Sequence, residues 1–342
     1  MRICILGATG LVGRETIDLV GRAWPDAELL LFASRDQELT HGSKTFPVRG
    51  ASALEQADAP RGDVAFVALD DEYSRRYVPR LLELGYRVVD KSNTYRTDPN
   101  VVLGVAGVNC DLITDDVRLV ANPNCTTIPL TLALAPLQER FGLTSVTVST
   151  YQAVSGAGIV ALDGFLADAR TGYGEADRLG LAFNPGRYAG NTVPHNGGTD
   201  DSGFSSEERK LMFESQKILR QPLAISAQCC RVPVAVGHYE NVWLTLEREA
   251  GLDEILATLE TGLYVHVLSG ASGDGLSAVA SVHDRDRALV GRLRSDARDA
   301  SGRSVCLTVV GDNLRLGAAT NAVRLASRWF PARDASLNVP RT

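Results

Sequence analysis

The chain has 342 residues, of which 44% are hydrophobic and 22% are charged, and its formal net charge is −6 at pH 7. This composition is typical of a soluble globular protein, is large enough for two domains, and excludes extensive disorder. It has no basic block and no apolar run of membrane-spanning length, so it argues against nucleic-acid and membrane partners and favours a small-molecule partner.

The first third of the chain alternates short apolar runs with helical patterns. Helices are predicted from about Leu11 and from about Ser74 to Leu84, and strands are predicted at RICILGA, ELLLFAS, DVAFVAL, YRVVD and RLVANPN. This order is typical of a Rossmann-like, doubly wound α/β domain, in which helices cover both faces of a parallel sheet. We place this domain at residues 1–123 and expect a C-terminal helix at 317–342 to complete it.

A change of pattern follows Phe141. A helix is predicted from Ser205 to about Leu219, and strands are predicted at SVTVSTYQ, CRVPVAV, YENVWLTLE, AVASVHDR, ALVGRLRS and SVCLTVVGD. The short links between the last three runs favour antiparallel pairing. We therefore expect residues 124–316 to form an α+β domain with a largely antiparallel sheet.

The six cysteines, at positions 4, 110, 125, 229, 230 and 306, show no C-x-x-C spacing. Neither a metal site nor a disulfide framework is therefore indicated. The residues after Met1 form a predicted strand rather than a signal peptide, so we expect a reducing, cytoplasmic location.

A glycine-rich segment, GATGLVG, follows the first predicted strand and opens a helix. Glycines in this position let the backbone approach a pyrophosphate at a helix N-terminus. The candidate cofactor-binding residues of this segment are Gly7, Thr9, Gly10, Leu11, Val12 and Gly13. At the end of the second strand, Ser34 and Arg35 suit a 2′-phosphate, which favours NADP, although the adjacent Asp36 leaves NAD open.

Cys125 precedes a predicted helix in the segment VANPNCTTIPL. The helix is indicated by apolar residues at a 3.6-residue period, and Pro129 fits only in its first turn. A thiol before a helix N-terminus is stabilised as the thiolate, as a nucleophile requires. The alternative, a buried structural thiol, stays open at this point.

Five motifs together resemble the aspartate-β-semialdehyde dehydrogenase family, and the resemblance extends from Met1 to about Trp329. They are NPNCTT, STYQAVSGAG, GFSSEERK, CRVPVAVGH and GDNLRLGAATNAV. The resemblance implies an enzyme of amino-acid biosynthesis, a homodimer or homotetramer, that reduces L-aspartyl 4-phosphate with NADPH. The products would be L-aspartate 4-semialdehyde and phosphate, formed through a thioacyl intermediate.

The resemblance also implies residue roles. Cys125 would be the nucleophile, His238 the general acid/base and Gln152 the group that orients the cysteine and the carbonyl. The implied substrate-binding residues are Arg231 for the α-carboxylate, Glu207 for the amine, Arg96 and Lys210 for phosphate, and Asn124. Ser155, Gly156 and Asn321 would complete the cofactor site.

Each of these residues also has an ordinary structural interpretation. His238 and Gln152 could be polar residues at strand ends, and Arg231 could form a surface ion pair. Glu207 and Lys210 could be an exposed pair at i and i+3, in a helix started by a capping box of Ser205 and Glu208.

The chain departs from the family's usual pattern at three positions: Gly107 replaces a glutamate, Leu316 replaces a lysine and Cys230 replaces an aliphatic residue. Alternative functions therefore stay open. They are reduction of N-acetyl-γ-glutamyl phosphate, whose enzymes usually read G-C-Y around the cysteine, reduction of an acyl-CoA, and nucleotide-dependent regulation without catalysis.

Overall fold

The structure is a computed structural model that describes residues 1–171, 188–194, 198–268 and 275–340. The chain divides into two compact units. The N-terminal unit comprises Met1–Asn124 and Gly317–Thr342, and the central unit comprises Cys125–Leu316. Within the described ranges, no helix is both long and apolar enough to cross a membrane.

The N-terminal unit is built on an eight-stranded sheet with the order β3-β4-β2-β1-β5-β6-β8-β7. All neighbouring strands are parallel except β3 and β4, which confirms the predicted Rossmann-like sheet. The strands are β1 Arg2–Leu6, β2 Glu28–Ala33, β3 Gln37–His41, β4 Lys44–Gly50, β5 Val64–Val67, β6 Arg87–Asp90, β7 Val102–Leu103 and β8 Leu119–Ala121. Its first two helices are α1 Leu11–Ala23 and α2 Asp71–Glu83.

The centre of this sheet is recognisable because its strands are buried on both faces. Residues 3–6 of β1 are fully buried, and β1 lies between β2 and β5. Strands covered by helices on both sides read as continuous apolar runs, which is why β1, β2 and β5 were predictable. The hairpin of β3 and β4 was not predicted, because its strands are largely polar and lie at the sheet edge.

The central unit contains a seven-stranded mixed sheet with the order β10-β11-β9-β12-β15-β14-β13. Four of its six pairings are antiparallel, as predicted, and two are parallel. The strands are β9 Leu143–Gln152, β10 Val193–Pro194, β11 Ala224–Arg231, β12 His238–Leu246, β13 Val265–Val267, β14 Ala288–Ser295 and β15 Ser304–Gly311. The helices are α3 Thr127–Phe141, α4 Ile159–Thr171, α5 Ser206–Leu219 and α6 Leu252–Glu260.

Two strand predictions in the central unit were wrong. The run AVASVHDR contains a short 3₁₀ helix, Val279–His283, in which Val279 is 59% exposed and the hydroxyl of Ser277 accepts a hydrogen bond from the N–H of Ala280. Local bonds of this kind compete with a sheet ladder. The run CRVPVAV leaves the sheet after Arg231, because Pro233 has no N–H to donate.

The C-terminal segment returns to the N-terminal unit and is less helical than predicted. A π-helical turn, Arg315–Thr320, leads into α7, Asn321–Ser327, and only a short 3₁₀ turn, Ala335–Leu337, follows. The prediction of a helix over 317–342 is therefore wrong beyond Ser327, since Pro331 cannot continue the helix. Residues 341–342 lie outside the described residues.

Candidate active site

Cys125 lies directly before the N-cap residue of α3, Thr126. Its side chain is partly exposed, whereas most of the helix that follows is buried. Pro129 occupies the third helical position, where its missing N–H is no loss. The sulfur is therefore accessible at the positive end of a helix dipole, a position that stabilises a thiolate.

His238 is the immediate partner of this sulfur. Its Nε2 lies 3.2 Å from Cys125 Sγ, and its ring is fully buried at the start of β12. The N–H of Ala153 donates to the other ring nitrogen, Nδ1, at 3.0 Å. A nitrogen that accepts a hydrogen bond carries no proton, so the neutral ring has its proton on Nε2, facing the sulfur.

Two loops hold this ring in place. The loop after β9 pairs with the loop before β12 through bonds from the N–H of Val154 to Val234 O (2.8 Å) and from that of Ser155 to Ala235 O (3.1 Å). The side-chain amide of Asn313 connects both loops, because its Nδ2 donates to Ser155 Oγ (2.9 Å) and its Oδ1 accepts from the N–H of residue 237 (2.9 Å). The ring orientation thus follows from backbone pairing.

Gly156 lies against the side chains of Arg231 and His238. A Cβ at this position would be 2.7 Å from Arg231 Nη1 and 3.5 Å from His238 Cε1. Arg231 itself is 5% exposed and donates from Nη1 to Ala153 O at 2.7 Å. The interpretation of Arg231 as a surface ion pair is therefore wrong, because its guanidinium is buried and held by a backbone carbonyl.

Glu207 and Lys210 form an ion pair of 2.7 Å near the N-terminus of α5. The carboxylate is 2% exposed, so the pair is not an ordinary surface pair. Its Oε1 accepts from Gln152 Nε2 at 3.2 Å, and Gln152 pairs in register with Arg231 where β9 and β11 end. The predicted capping box of Ser205 and Glu208 is confirmed and fixes the start of this helix.

The protein keeps the thiols of the other five cysteines protonated. Burial raises the pKa of every one of them, to about 11 for Cys110, so they stay protonated near neutral pH. The same direction holds for Cys4, Cys229, Cys230 and Cys306. Cys230 Sγ also donates to Thr150 O at 3.2 Å.

The glycine-rich loop of the N-terminal unit contains two glycines that the fold requires, Gly7 and Gly13, and one that it does not, Gly10. Gly7 has a φ of +93°, and a Cβ there would lie 2.7 Å from Ala68 O, while a Cβ at Gly13 would lie 2.8 Å from Ala8 Cα. The fold itself excludes side chains at these two positions. A Cβ at Gly10 would meet only an ordinary contact, 3.4 Å from Gly7 O. The absence of a side chain at Gly10 therefore suits a bound group rather than the fold.

The side chains after β2 are of two kinds: Asp36 is hydrogen-bonded within the protein, whereas Ser34 and Arg35 are exposed. Asp36 Oδ1 accepts from the N–H of Gly50 at 2.6 Å, so this carboxylate already has a partner in the protein. Ser34 and Arg35 are exposed, and within the described ranges Arg35 has no ion-pair partner. A phosphate group would find an available cation here.

The phosphate-binding arginine predicted in the N-terminal unit, Arg96, is 8% exposed, and its Nη2 donates to Lys91 O at 2.5 Å. It lies near Asp90. Burial raises the pKa of Asp90 above its ordinary value, and hydrogen bonds from Ser74 and Ser92 and the charge of Arg96 offset part of that rise. Arg96 is thus a fixed, buried cation at the end of β6.

Asn124 and Asn321 are both buried. Asn321 uses both amide protons within its unit, donating to Gly104 O (3.0 Å) and Asn122 Oδ1 (2.8 Å), and its Oδ1 accepts from the N–H of Ala106 (2.9 Å). A contact between Asn321 and a cofactor would therefore use the remaining lone pair of Oδ1.

Two family models match the chain. Residues 2–115 match the NAD binding domain of semialdehyde dehydrogenase, and residues 134–316 match its dimerisation domain. An aspartate-semialdehyde dehydrogenase of Aquifex aeolicus is 35% identical over 95% of this chain and 96% of its own length. The chain belongs to the aspartate-semialdehyde dehydrogenase family. The resemblance inferred from the sequence motifs is confirmed.

Other relatives agree with this membership. An aspartate-semialdehyde dehydrogenase of Mycolicibacterium smegmatis is 36% identical over 95% of this chain and 98% of its own length. A crystal structure of aspartate semialdehyde dehydrogenase II from Vibrio cholerae, complexed with ASA, is 32% identical and superimposes with a TM-score of 0.84, covering 95% of this chain and 97% of that one.

The structure offers a reason for each of the three departures from the usual family pattern. Gly107 has a φ of +92°, a left-handed conformation that favours glycine over glutamate. Leu316 is 1% exposed, so an apolar side chain suits its position better than a lysine. At position 230 the structure shows that the thiol donates to Thr150 O, a bond that an aliphatic side chain cannot make.

Sequence reasoning missed the groups that hold the predicted residues in place. Ala153 acts through its backbone, which no residue pattern reveals. Asn313 and Thr150 looked like ordinary polar residues. Asp90 had a usable signal, because an acid at the carboxyl end of a parallel strand commonly lies at a binding site.

Proposed function

We propose that the chain reduces L-aspartyl 4-phosphate to L-aspartate 4-semialdehyde and phosphate, with NADPH as the reductant and Cys125 as the nucleophile. The observation that carries this proposal is the 3.2 Å contact between Cys125 Sγ and His238 Nε2 at the start of a helix. Membership in a family whose relatives are named aspartate-semialdehyde dehydrogenases supports the choice of substrate.

In the first step the Cys125 thiolate attacks the carbonyl carbon of the acyl phosphate. A carbon–sulfur bond forms, the bond from that carbon to the phosphate oxygen breaks, and phosphate leaves. His238 does not need to take up the thiol proton in this geometry, because its neutral form presents Nε2–H to the thiolate. The same N–H can then stabilise the negative charge that develops on the carbonyl oxygen.

NADPH supplies the hydride that converts the thioester to the oxidation level of an aldehyde. The carbon–sulfur bond then breaks, and Cys125 leaves as a thiolate that again accepts a hydrogen bond from His238 Nε2. Gln152 orients the reacting groups through its amide, and its contact with Glu207 connects the reacting centre to the substrate-binding residues.

We propose that the substrate is held through its charged ends. The guanidinium of Arg231 suits the α-carboxylate, because a planar fork matches a carboxylate bidentately. Glu207 suits the ammonium group, and Arg96, with Lys210, suits phosphate. Asn124, directly before the nucleophile, contributes a polar contact. Burial of both arginines supports these roles, since buried cations retain strong electrostatic effects.

The cofactor proposed is NADP, bound by the N-terminal unit. The N–H groups of Leu11 and Val12 in the first turn of α1 suit the pyrophosphate, with Gly10 leaving room for it. Ser34 and Arg35 suit the 2′-phosphate. Ser155, Gly156 and Asn321 stay proposed contacts of the nicotinamide end.

Replacing the exposed arginine after β2 tests the cofactor proposal. A charge-assisted contact between Arg35 and the 2′-phosphate corresponds to about a ten- to a hundredfold preference for NADP over NAD. We expect Arg35→Ala to raise the KM for NADP by that factor and to leave the KM for NAD nearly unchanged. Steady-state kinetics with both cofactors measures this.

A matched control is Arg61→Ala, which removes another exposed arginine of the same unit and should change neither constant. Equal efficiency of the parent enzyme with NADP and NAD would contradict the proposal and assign the ribose contact to Asp36.

The requirement for phosphate tests the proposed reaction against its alternatives. In the oxidative direction, NADP reduction by aspartate semialdehyde should depend on added phosphate, whereas an acyl-CoA reductase would require coenzyme A and a regulator would show no turnover. An enzyme specific for N-acetyl-γ-glutamyl phosphate would prefer the longer, acetylated semialdehyde. We expect Arg96→Ala to raise the KM for phosphate far more than the KM for semialdehyde.

Arg231→Lys should show the opposite selectivity. It keeps the charge but loses the bidentate fork, so the KM for semialdehyde should rise and kcat should fall through poorer positioning of the carbonyl. Arg96→Lys is the control that keeps a charge at position 96. An Arg96→Ala enzyme with unchanged phosphate dependence would argue for the acyl-CoA alternative.

We infer a homodimer or homotetramer, because residues 134–316 match a family model described as a dimerisation domain. A cytoplasmic location stays a prediction from the sequence.

A further inference from the structure

A fully buried carboxyl group lies two residues beyond His238 on the inward face of β12. Glu240 is 0% exposed, and neither of its carboxyl oxygens accepts a hydrogen bond from a donor among the residues that the structure describes. Burial without a partner penalises a carboxylate far more than a neutral acid. The steps proposed above make no use of this group.

Glu240 lies close to the groups proposed to bind the amino group. It is paired in register with Thr150 of β9, whose Oγ1 accepts from Gln152 Nε2 at 3.1 Å. The same Nε2 contacts Glu207 Oε1 at 3.2 Å. Burial raises the pKa of Glu240 well above its ordinary value, and the negative charge of Glu207 raises that pKa further. The two buried glutamates are therefore connected through Thr150 and Gln152, and the charge of Glu207 acts on Glu240.

The titratable groups that face Glu240 are Glu207 from α5, Cys229 from β11 and His238 on β12 itself. β9 and β15 place Thr150 and Val309 opposite it, and neither of these titrates. α3 also packs against β12, but its charged residues lie at its exposed C-terminal end. Among the described residues, the charge that raises the pKa of Glu240 is thus the negative one of Glu207, which Lys210 pairs at 2.7 Å.

We propose that Glu240 is a positioning residue that holds Glu207 for the amino group of the substrate, as a neutral acid whose O–H donates toward the Glu207 carboxylate. This inference rests on the proposed function, because that function assigns the amino group to Glu207. A second carboxylate would repel Glu207, whereas an acid supplies a donor. One negative charge, instead of two, then faces a single ammonium group.

The protonation of Glu240 is testable without any assay of activity. The folded chain holds this proton more tightly than the unfolded chain, so the parent loses stability as pH rises from the ordinary carboxyl pKa toward the folded pKa. Glu240→Gln cannot titrate. The Tm of Glu240→Gln minus that of the parent should therefore rise with pH in this window. A difference that is flat or falls with pH would overturn the proposal.

The positioning role is testable through substrate selectivity. Glu240→Met keeps a similar volume but removes the donor, so the KM for aspartate semialdehyde should rise about ten- to a hundredfold, as for a lost hydrogen bond to a charged group. The inhibition constant of succinate semialdehyde, which lacks the amino group, should change much less. Glu240→Gln keeps an N–H donor and should restore most of the lost affinity.

A control for general damage to the core is Val242→Ala, which creates a cavity on the same inward face of β12. It should lower Tm without changing the ratio of the two constants. Equal losses for both semialdehydes in Glu240→Met would overturn the amino-group role. A parent enzyme that is inactive on aspartate semialdehyde would overturn the proposed function and, with it, the amino-group role of Glu240. The pH dependence of Tm would still decide whether Glu240 is neutral in the folded chain.

Discussion

Cys125→Ser is expected to fold normally and to lose roughly three orders of magnitude or more of kcat, as nucleophile removal does in other covalent enzymes. Serine nearly reproduces the shape of cysteine and is well tolerated before a helix. Its hydroxyl, however, is not ionised near neutral pH, so the nucleophile is lost while the fold is retained. The NADP-linked assay measures activity, and thermal unfolding measures the integrity of the fold.

Alkylation should identify the same residue independently. Iodoacetamide should label Cys125 first and abolish activity in proportion, because burial raises the pKa of the other thiols and keeps them protonated. Cys306→Ser is the matched control, since it lies near the other end of the sheet pairing that includes His238 and should stay active. A fully active Cys125→Ser enzyme would remove the thioacyl mechanism.

His238→Gln should reduce kcat by about 10²- to 10³-fold, the usual cost of misplacing a donor that stabilises developing negative charge. The glutamine amide can still donate a hydrogen bond, but its flexible side chain does not hold that N–H in the position of imidazole Nε2. In the proposed mechanism His238 acts at the reacting atoms rather than at the charged ends of the substrate, so the KM for semialdehyde should change little. Alkylation of Cys125 should also slow, since the thiolate loses the contact with His238 Nε2.

His41→Gln serves as the control for histidine loss. His41 pairs with Asp18 at 2.8 Å in the N-terminal unit and has no part in the proposed chemistry. It should leave kcat and the rate of alkylation unchanged. A His238→Gln enzyme with the kcat of the parent would reduce His238 to a structural residue and leave Cys125 without a partner for catalysis.

The parts of the fold that were predictable are those where local pattern and burial agree. Residues 3–6 of β1 are covered on both sides, so a continuous apolar run marked the strand. The start of α5 was marked by the capping box of Ser205 and Glu208. AVASVHDR failed because a strand-like run predicts a strand, whereas Val279 in it is exposed and the segment forms a 3₁₀ helix.

The candidate site was predictable as a set of residues but not as an arrangement. Family motifs pointed to Cys125 and His238, and only the structure shows which ring nitrogen faces the sulfur. Glu240 was overlooked, although the alternation of β12 places it in phase with the buried Val242. A glutamate in that phase is a signal that sequence reading can use, because an acid is rarely buried without a role.

The hydrogen bond from Ala153 to His238 comes from the main chain, so every amino acid except proline would supply the same donor at position 153. Ala153 is itself fully buried, so a substitution that fits this space would leave the proton of the imidazole in place. What must persist is the path of the loop, fixed by its pairing with Val234 and Ala235. Distant relatives can hold this proton in the same place although they have a different residue at position 153. Superposition of their backbones would show this similarity, whereas a sequence alignment would not.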